Sequence, residues 1–139
     1  MNFKIKHEID PKDYITIRRN VGWNELNPNQ IQKALNNSMI NISVYNEEEC
    51  IGIGRIVGDK VLKGMLTDIM VKKEYQKMGV GTLIVKTLLE KINDFINEGE
   101  SFQIEASPTN GNRDFYINCG LKYTPENHDG VYLWIKKQV

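Results

Sequence analysis

The segment from Asp68 to Thr82 constrains the fold more than any other part of the chain. Its apolar first half is typical of a strand ending at Val71, and a short polar stretch leads from there into Gln76-x-x-Gly79-x-Gly81. Glycine permits a tight turn without a Cβ penalty and lets the backbone approach a ligand closely. The apolar residues that then recur at helical spacing are Val80, Leu83, Ile84, Leu88 and Ile92. The pattern therefore predicts a strand, a tight loop and a helix in direct succession.

The N-terminus of such a helix is an anion site, because its unpaired N–H groups and the positive end of its macrodipole face the loop. We expect it to hold the phosphate or pyrophosphate of a cofactor. A Walker A loop does not fit, because no lysine precedes Thr82. A dinucleotide fingerprint does not fit either, because Ile84 stands at its third glycine position and Gly52-Ile53-Gly54 lacks a third glycine at that spacing. The alternative is an ordinary loop-to-helix transition.

A second motif follows the first in the order typical of one superfamily. Asn110 precedes Phe115-Tyr116-x-x-x-Gly120-Leu121. Together with the glycine motif, this segment resembles the GNAT superfamily of acetyl-coenzyme A-dependent N-acetyltransferases, over roughly residues 60–123. The resemblance implies acetyl-coenzyme A as the acetyl donor and an amine as the acceptor, and it leaves the identity of that amine open.

The resemblance also implies which residues bind the cofactor. The strand before the loop would contact the pantetheine arm through its backbone, as an added strand does. The loop and helix start would wrap the pyrophosphate, and Asn110 would contact the arm or cap the short helix. The predicted cofactor-binding residues are Ile69, Met70, Val71, Gln76, Lys77, Met78, Gly79, Val80, Gly81, Thr82, Asn110, Phe115 and Tyr116.

Two groups are predicted to act directly in catalysis. A hydroxyl near the cofactor sulfur can protonate a departing thiolate, and the resemblance assigns this general-acid role to Tyr116. The alternative for Tyr116 is a half-buried aromatic of the short helix. The backbone N–H of Met70 is predicted to donate to the thioester carbonyl oxygen.

The general base and the acceptor pocket are less sharply predicted. Members of the family often carry a Glu where this chain has Thr67, and period-two alternation sends Thr67 and Asp68 to opposite faces. Asp68 therefore cannot simply take the role, and Glu25, Glu105 or relay by water remain open. An aromatic wall with a carboxylate suits a small cationic amine. The candidate acceptor-side residues are Trp23, Glu25, Asp68, Glu105 and Trp134.

Composition excludes several other functions. The 139 residues form a single predicted domain, residues 1–139, and 18 basic residues balance 18 acidic ones, so no net field recruits nucleic acid or a membrane surface. The sequence shows neither a membrane-length apolar run nor a signal peptide, and Cys50 and Cys119 lack metal-ligand spacing. We expect a cytoplasmic monomer or homodimer that binds acetyl-coenzyme A and an amine, without nucleic acid, membrane or metal.

Periodicity and turn residues predict the remaining elements. The predicted fold is a mixed, mostly antiparallel sheet of six to seven strands flanked by about four helices, in the order β-α-α-β-β-β-α-β-α-β-β. Helices are expected at 11–20, 28–35, 80–96 and 111–118, and strands at 3–6, 39–45, 50–57, 63–71, 101–106, 122–124 and 131–135. The expected function is direct acetyl transfer to a primary amine of a small molecule, peptide or protein in a ternary complex. The alternative is a non-catalytic acyl-coenzyme A-binding regulatory module.

Overall fold

The computed structural model describes residues 2–108, 111–123 and 130–138. Within these ranges the strands are β1 Phe3–Lys6, β2 Ile40–Asn46, β3 Glu49–Gly58, β4 Lys63–Val71, β5 Ser101–Ala106, β6 Lys122–Tyr123 and β7 Val131–Lys136. The helices are α1 Pro11–Asn20, α2 Pro28–Asn36, α3 Val80–Lys91 and α4 Arg113–Asn118, with short 3-10 turns at Lys73–Tyr75 and Ile92–Asp94. The predicted element order is confirmed. The predicted final residue of the strand at 122–124 lies outside the described residues.

All seven strands belong to one sheet in the order β1-β2-β3-β4-β5-β7-β6. Each neighbouring pair is antiparallel except β4 and β5, which run parallel. The parallel pair is the one that α3 connects, as a crossover between parallel strands requires. The prediction of a mixed, mostly antiparallel sheet is confirmed.

The first two helices begin where their capping residues predict. The side chain of Asp10 accepts a hydrogen bond from the Lys12 N–H at 2.8 Å, and Pro11 follows it. Asn27 repeats the arrangement before Pro28. A cap side chain satisfies an N–H that the helix leaves unpaired, and proline at the first position needs no such partner.

The third helix is shorter than its apolar pattern predicts. It ends at Lys91 and continues as a 3-10 turn over Ile92–Asp94, whereas the pattern predicts a helix to about residue 96. Ile92 and Ile96 are both buried in the core beyond the helix end. Apolar spacing reports burial, and burial continues through the 3-10 turn, so the spacing could not mark where the α-helical hydrogen bonds stop.

The helices cover the two faces of the sheet separately. One face packs against α3 and includes Phe102 and Ile104 of β5. The other packs against α1 and α2, through Ile17, Ile31 and their neighbours. The pairs α1–β3 and α1–β4 are in contact, so α1 lies beside the middle of the sheet.

Gly52 and Gly54 bring α3 unusually close to β3. A Cβ at Gly52 would lie 2.9 Å from side-chain atoms of both Val80 and Ile84, and one at Gly54 would lie 2.5 Å from Ile84. Real Cβ contacts are not this short, so the glycine pair is a close-packing feature of the sheet. This accounts for the Gly-x-Gly pattern that does not fit a dinucleotide fingerprint.

A bulge in β4 breaks the alternation of its side chains. Asp68 has a left-handed backbone with φ +55°, and the register with β3 skips from Arg55–Thr67 to Ile53–Met70. A bulged strand places two residues opposite one of its partner. Thr67 lies opposite Arg55, which donates a hydrogen bond to Ala34 O of α2, and Asp68 also bonds Arg55. The prediction that Thr67 and Asp68 occupy opposite faces is therefore wrong.

The parallel pair β4–β5 is joined over only part of its length. Its paired residues run from Lys63–Gln103 to Met65–Glu105, and β4 continues to Val71 with no further pairing to β5 among the described residues. The two strands therefore diverge beyond Met65. Among the described residues, no helix is long and apolar enough to cross a membrane.

Candidate active site

A cleft of about 410 Å³ opens where β4 leaves β5. Three segments contribute to its wall: the end of β4, the loop that leads into α3, and the start of α4. The lining residues are Ile69, Val71, Tyr75, Gln76, Lys77, Gly79, Gly81, Thr82, Asn112 and Phe115. The cleft therefore brings together both sequence motifs, which lie far apart along the chain.

The end of β4 presents backbone groups to this cleft. The side-chain amide of Gln76 donates to Val71 O at 3.0 Å, which shows that the Val71 carbonyl faces the loop and the cleft. In an extended strand the N–H and C=O of one residue point to the same side. Val71 can therefore offer its N–H to an extended ligand laid along β4.

Met70 directs its N–H the other way. The Lys72 N–H donates to Ile51 O at 2.9 Å, and residues with this role alternate along an antiparallel ladder. Met70 precedes Lys72 by two positions and pairs with Ile53, so its N–H is engaged with β3. This orientation, which follows from the bulge, does not favour the Met70 N–H as oxyanion donor, and that role stays a prediction.

The N-terminus of α3 opens into the same cleft without a side-chain cap. Its N-cap is Gly79 with φ +86°, a conformation that glycine adopts without penalty. The first helical hydrogen bond runs from the Leu83 N–H to Gly79 O at 3.0 Å. The N–H groups before Leu83 have no partner within the helix, so they and the helix dipole favour an anion here.

Gly81 has a different reason to be glycine. A Cβ at this position would lie 3.3 Å from the ring of Phe115, whereas a Cβ at Gly79 would meet nothing within 4 Å. Gly79 allows the backbone turn and Gly81 lets α4 approach α3. The cleft thus combines an extended strand edge with an uncapped helix N-terminus, and the glycine between them has no side chain. This combination fits a cofactor that carries both amides and a pyrophosphate.

Tyr116 lies next to the cleft, and its hydroxyl keeps its proton at neutral pH. Its ring packs edge-on against Phe115, with the ring centroids 5.1 Å apart. Burial raises the pKa of the Tyr116 hydroxyl, and the nearby Cys119 adds to this. Tyr116 itself does not line the cleft, so its role as general acid stays a prediction.

Neither cysteine is suited to nucleophilic attack. Both are buried, and burial raises the pKa of each thiol, to about 12 for Cys50. Thr82 hydrogen-bonds Cys119 and opposes this rise without cancelling it. A thiol in this state holds little thiolate at neutral pH.

Comparison with known proteins identifies the family. The profile of the Acetyltransferase (GNAT) family matches residues 7–121, which is most of the chain. The chain belongs to this family.

Two N-acetyltransferases are similar to the chain at modest sequence identity. A chloroplastic GCN5-related N-acetyltransferase of Arabidopsis thaliana is 25% identical over 149 residues, which cover 93% of this chain and 56% of that protein. An uncharacterized ycf52-like N-acetyltransferase of Prochlorococcus marinus is 28% identical over 80 residues, covering 55% and 44%. The chain thus spans about half the length of the curated relatives it matches.

One solved structure shows a similar fold. A probable acetyltransferase of unknown function from Staphylococcus aureus superposes with a TM-score of 0.79 at 24% identity, covering 91% of this chain and 94% of that one. At this identity the likeness concerns the fold alone.

In this GNAT chain, some residues predicted to bind the cofactor do not line the cleft. Met70 and Val80 are buried in the two cores, and Met78 is exposed. Asn110 lies outside the described residues. Tyr75 and Asn112 do line the cleft and were not predicted. Tyr75 adjoins the glycine motif in sequence, and Asn112 lies two residues beyond Asn110, so proximity to the motifs was the only available signal.

The acceptor-side candidates are divided between two places. Trp23 and Glu25 lie on the loop between α1 and α2, where Glu25 pairs with Arg19 at 2.8 Å and both side chains are 66% exposed. That ion pair lowers the pKa of Glu25. Glu105 and Trp134 lie on the sheet itself, and Glu105 pairs with Lys63 at 3.1 Å.

Glu105 and Trp134 share the sheet face that the α3 core leaves free. Phe102 and Ile104 alternate with Glu105 along β5 and are buried against α3, so Glu105 points to the other face. Trp134 pairs with Gln103 on that same face and is 57% exposed. Glu105 is also the last β5 residue paired with β4, so it stands at the point where the strands diverge.

Asp68 is an acceptor-side candidate whose carboxylate already contacts other side chains of the protein. Its carboxylate is 9% exposed and accepts hydrogen bonds from the Tyr14 hydroxyl at 2.9 Å and from Arg55 Nε at 2.7 Å. Arg18 Nη1 lies 3.9 Å away. Burial, followed by the neighbouring Asp68 charge, raises the pKa of Tyr14, so Tyr14 stays a donor. These contacts and its 9% exposure leave little of the Asp68 carboxylate accessible to a substrate.

Proposed function

We propose that this GNAT chain transfers the acetyl group of acetyl-coenzyme A directly to a primary amine. The observation that carries the proposal is the cleft between the diverging strands β4 and β5, which ends at the uncapped N-terminus of α3. The edge of β4 and the N-terminus of α3 lie in succession along one groove. An extended pantetheine arm would lie along the strand edge, and the pyrophosphate that follows it would reach the helix N-terminus.

Within this proposal the backbone does most of the cofactor binding. The Val71 N–H and the neighbouring backbone of Ile69 hold the pantetheine arm, and the N–H groups at the start of α3 hold the pyrophosphate. Lys77 lines the cleft and adds a charge-assisted contact to a phosphate. Its φ of +64° shows that the loop holds a strained conformation here, as is common where a loop receives a ligand.

Acetyl-coenzyme A would supply the acetyl group as an activated thioester. We propose the Ile69 N–H, at the bulge, as donor to the carbonyl oxygen as negative charge develops there, because the Met70 N–H is engaged with β3. The Tyr116 hydroxyl would give its proton to the departing sulfur, and its raised pKa keeps that proton available at neutral pH.

The acceptor amine would approach from the sheet face opposite α3, where Glu105 and Trp134 lie. Glu105 is the carboxylate closest in register to the point of divergence, and Trp134 provides an exposed aromatic surface beside it. A carboxylate beside an aromatic ring suits a cationic amine. Glu105 is already paired with Lys63, so we propose that it orients the amine while water carries the proton away.

The decisive experiment is a screen of primary amines with acetyl-coenzyme A, reading the release of free thiol and identifying the product by mass. Acetylated amine formed at a rate well above the uncatalysed one supports the proposal. Binding of acetyl-coenzyme A, seen as a rise in melting temperature, with no turnover for any small-molecule, peptide or protein amine would favour a non-catalytic acyl-coenzyme A-binding module. No binding would contradict both.

A further inference from the structure

Arg18 contacts both the loop between α1 and α2 and the bulge of β4. Its Nε donates to Asn24 O at 2.7 Å and its Nη2 donates to Asn24 Oδ1 at 2.6 Å, so the guanidinium holds the loop between α1 and α2 by two bonds. The guanidinium also lies 5.3 Å from the ring centroid of Trp23, on the same loop. A planar guanidinium can make such paired and stacked contacts at once, which an ammonium cannot.

The other side of the same guanidinium reaches the β4 bulge. Arg18 Nη1 donates to the Tyr14 hydroxyl at 3.1 Å, and that hydroxyl donates to Asp68 at 2.9 Å. Arg18 Nη1 is also 3.9 Å from the Asp68 carboxylate. The side chains of Arg18 and Asp68 are 12% and 9% exposed, so water screens this connection weakly.

The bulge is also the part of β4 that faces the cofactor cleft. Asp68 holds the left-handed conformation of the bulge, and Ile69, the next residue, lines the cleft. A non-glycine residue in this conformation persists only where its surroundings hold it. Here the surroundings are Arg55, Tyr14 and Arg18, so a shift of the bulge changes the contacts of Arg18.

We propose that Arg18 is a positioning residue that couples the cofactor cleft to the loop carrying Trp23 and Glu25. When coenzyme A fills the cleft, the conformation of the bulge changes. The contacts of Arg18 then move the loop on the acceptor side. The inference rests on the proposed function, since it needs the cleft to be the cofactor site. It predicts that the cofactor prepares the loop before the amine arrives.

The test uses Trp23 as a reporter of the loop. The chain has two tryptophans, so the Trp134→Phe variant leaves Trp23 as the only one. Coenzyme A is added, its binding is followed by the melting-temperature shift, and the acrylamide quenching of Trp23 is measured with and without it. We expect quenching of Trp23 to change on binding in the Trp134→Phe variant.

Adding Arg18→Met should abolish this response while coenzyme A still binds. Asp68 keeps Arg55 and Tyr14 as partners in that variant, so the fold should hold. Arg19→Met is the matched control, because Arg19 is adjacent, exposed and paired with Glu25 alone among the ion pairs of the described residues. The Trp23 response should persist there. Arg18→Lys keeps the charge without the two bonds to Asn24, and it should lose the response as Arg18→Met does.

With a cognate amine, Arg18→Met should raise the KM for the amine about tenfold or more, with a smaller change in the KM for acetyl-coenzyme A, because a misplaced acceptor loop weakens orientation. A response that survives in Arg18→Met, or that Arg18→Lys restores in full, would overturn the coupling. So would coenzyme A binding without any Trp23 response in the parent. If coenzyme A does not bind at all, the proposed function fails as well, and the melting curve alone shows it.

Discussion

The cofactor side and the acceptor side of the candidate site are built from different chemical parts. The cleft proposed for the cofactor offers mainly backbone groups: the edge of β4, the left-handed Gly79 and the first N–H groups of α3. The acceptor side is formed by side chains held in ion pairs and hydrogen bonds, such as the cluster around Asp68. Contacts made by backbone groups persist when side chains are substituted, whereas contacts made by a cluster of side chains are lost. We therefore expect the specificity for the acceptor to depend on these side chains.

The largest expected effect is on the backbone-built side. Gly81→Asp puts a carboxylate among the N–H groups that would receive the pyrophosphate, so it should abolish the rise in melting temperature with acetyl-coenzyme A. At a ligand concentration of 100 Kd that rise reflects about 2.7 kcal/mol of stabilisation. The fold should persist, because an acidic residue in the first turn suits the helix dipole.

Gly81→Ala is the control for this substitution. It adds a Cβ 3.3 Å from the Phe115 ring without adding charge, so it should retain part of the shift. An undiminished shift in Gly81→Asp would remove the glycine loop from the site.

The second prediction contrasts two carboxylates of the acceptor side. Asp68→Asn removes the negative charge shared by Arg18 and Arg55, and should lower the free energy of unfolding by about 3 kcal/mol, as breaking a buried ion pair does. Glu25→Gln, at an exposed pair, should leave stability unchanged within error. Urea unfolding measures both, and equal effects would contradict the distinction between a buried cluster and a surface pair.

The third prediction tests the side chain that is predicted to protonate the departing sulfur. Tyr116→Phe keeps the ring contact with Phe115 and removes the hydroxyl. Turnover of a cognate amine should fall by roughly 10²-fold, the usual contribution of a positioned proton donor, with cofactor affinity nearly unchanged. Tyr45→Phe is the control, since its hydroxyl bonds Asp13 away from the cleft. It should affect stability but not turnover, and full activity in Tyr116→Phe would assign the proton to another group.

The fourth prediction concerns the general base. Glu105→Gln should reduce the rate by well under the ~10²-fold that loss of a dedicated base causes. The rate should climb with pH toward the pKa of the amine, because water accepts the proton. The matched variant Glu25→Gln should behave alike in pH–rate profiles. If Glu105→Gln loses nearly all turnover yet still binds cofactor, Glu105 is the base and water relay is wrong.

The smallest expected effect is at Cys119. Its thiol is buried and its pKa is raised, so it should not form an acyl-enzyme. Cys119→Ala should therefore keep its turnover, and initial-rate plots with both substrates varied should intersect, as direct transfer requires. Parallel lines would point to an acylated intermediate instead.

The sequence by itself predicted those features that depend on residues close together along the chain. The caps at Asp10 and Asn27 and the glycine turn at Gly79 each act within a few residues. Local chemistry of this kind also determined the order of strands and helices. The same reasoning could not locate the end of α3, because burial continues past Lys91 into the 3-10 turn.

Only the tertiary structure decided how the β4 bulge is arranged. The left-handed Asp68 shifts the register with β3, and this shift turns the Met70 N–H into the ladder and brings Thr67 and Asp68 to one face. The partners that hold the bulge come from elsewhere, Tyr14 being 54 residues from Asp68 along the chain. Strand pairing and buried charge clusters depend on such distant contacts, so no local pattern records them. The sequence therefore determined the glycine loop that lines the cleft, and the packed sheet decided which backbone groups and carboxylates remain accessible there.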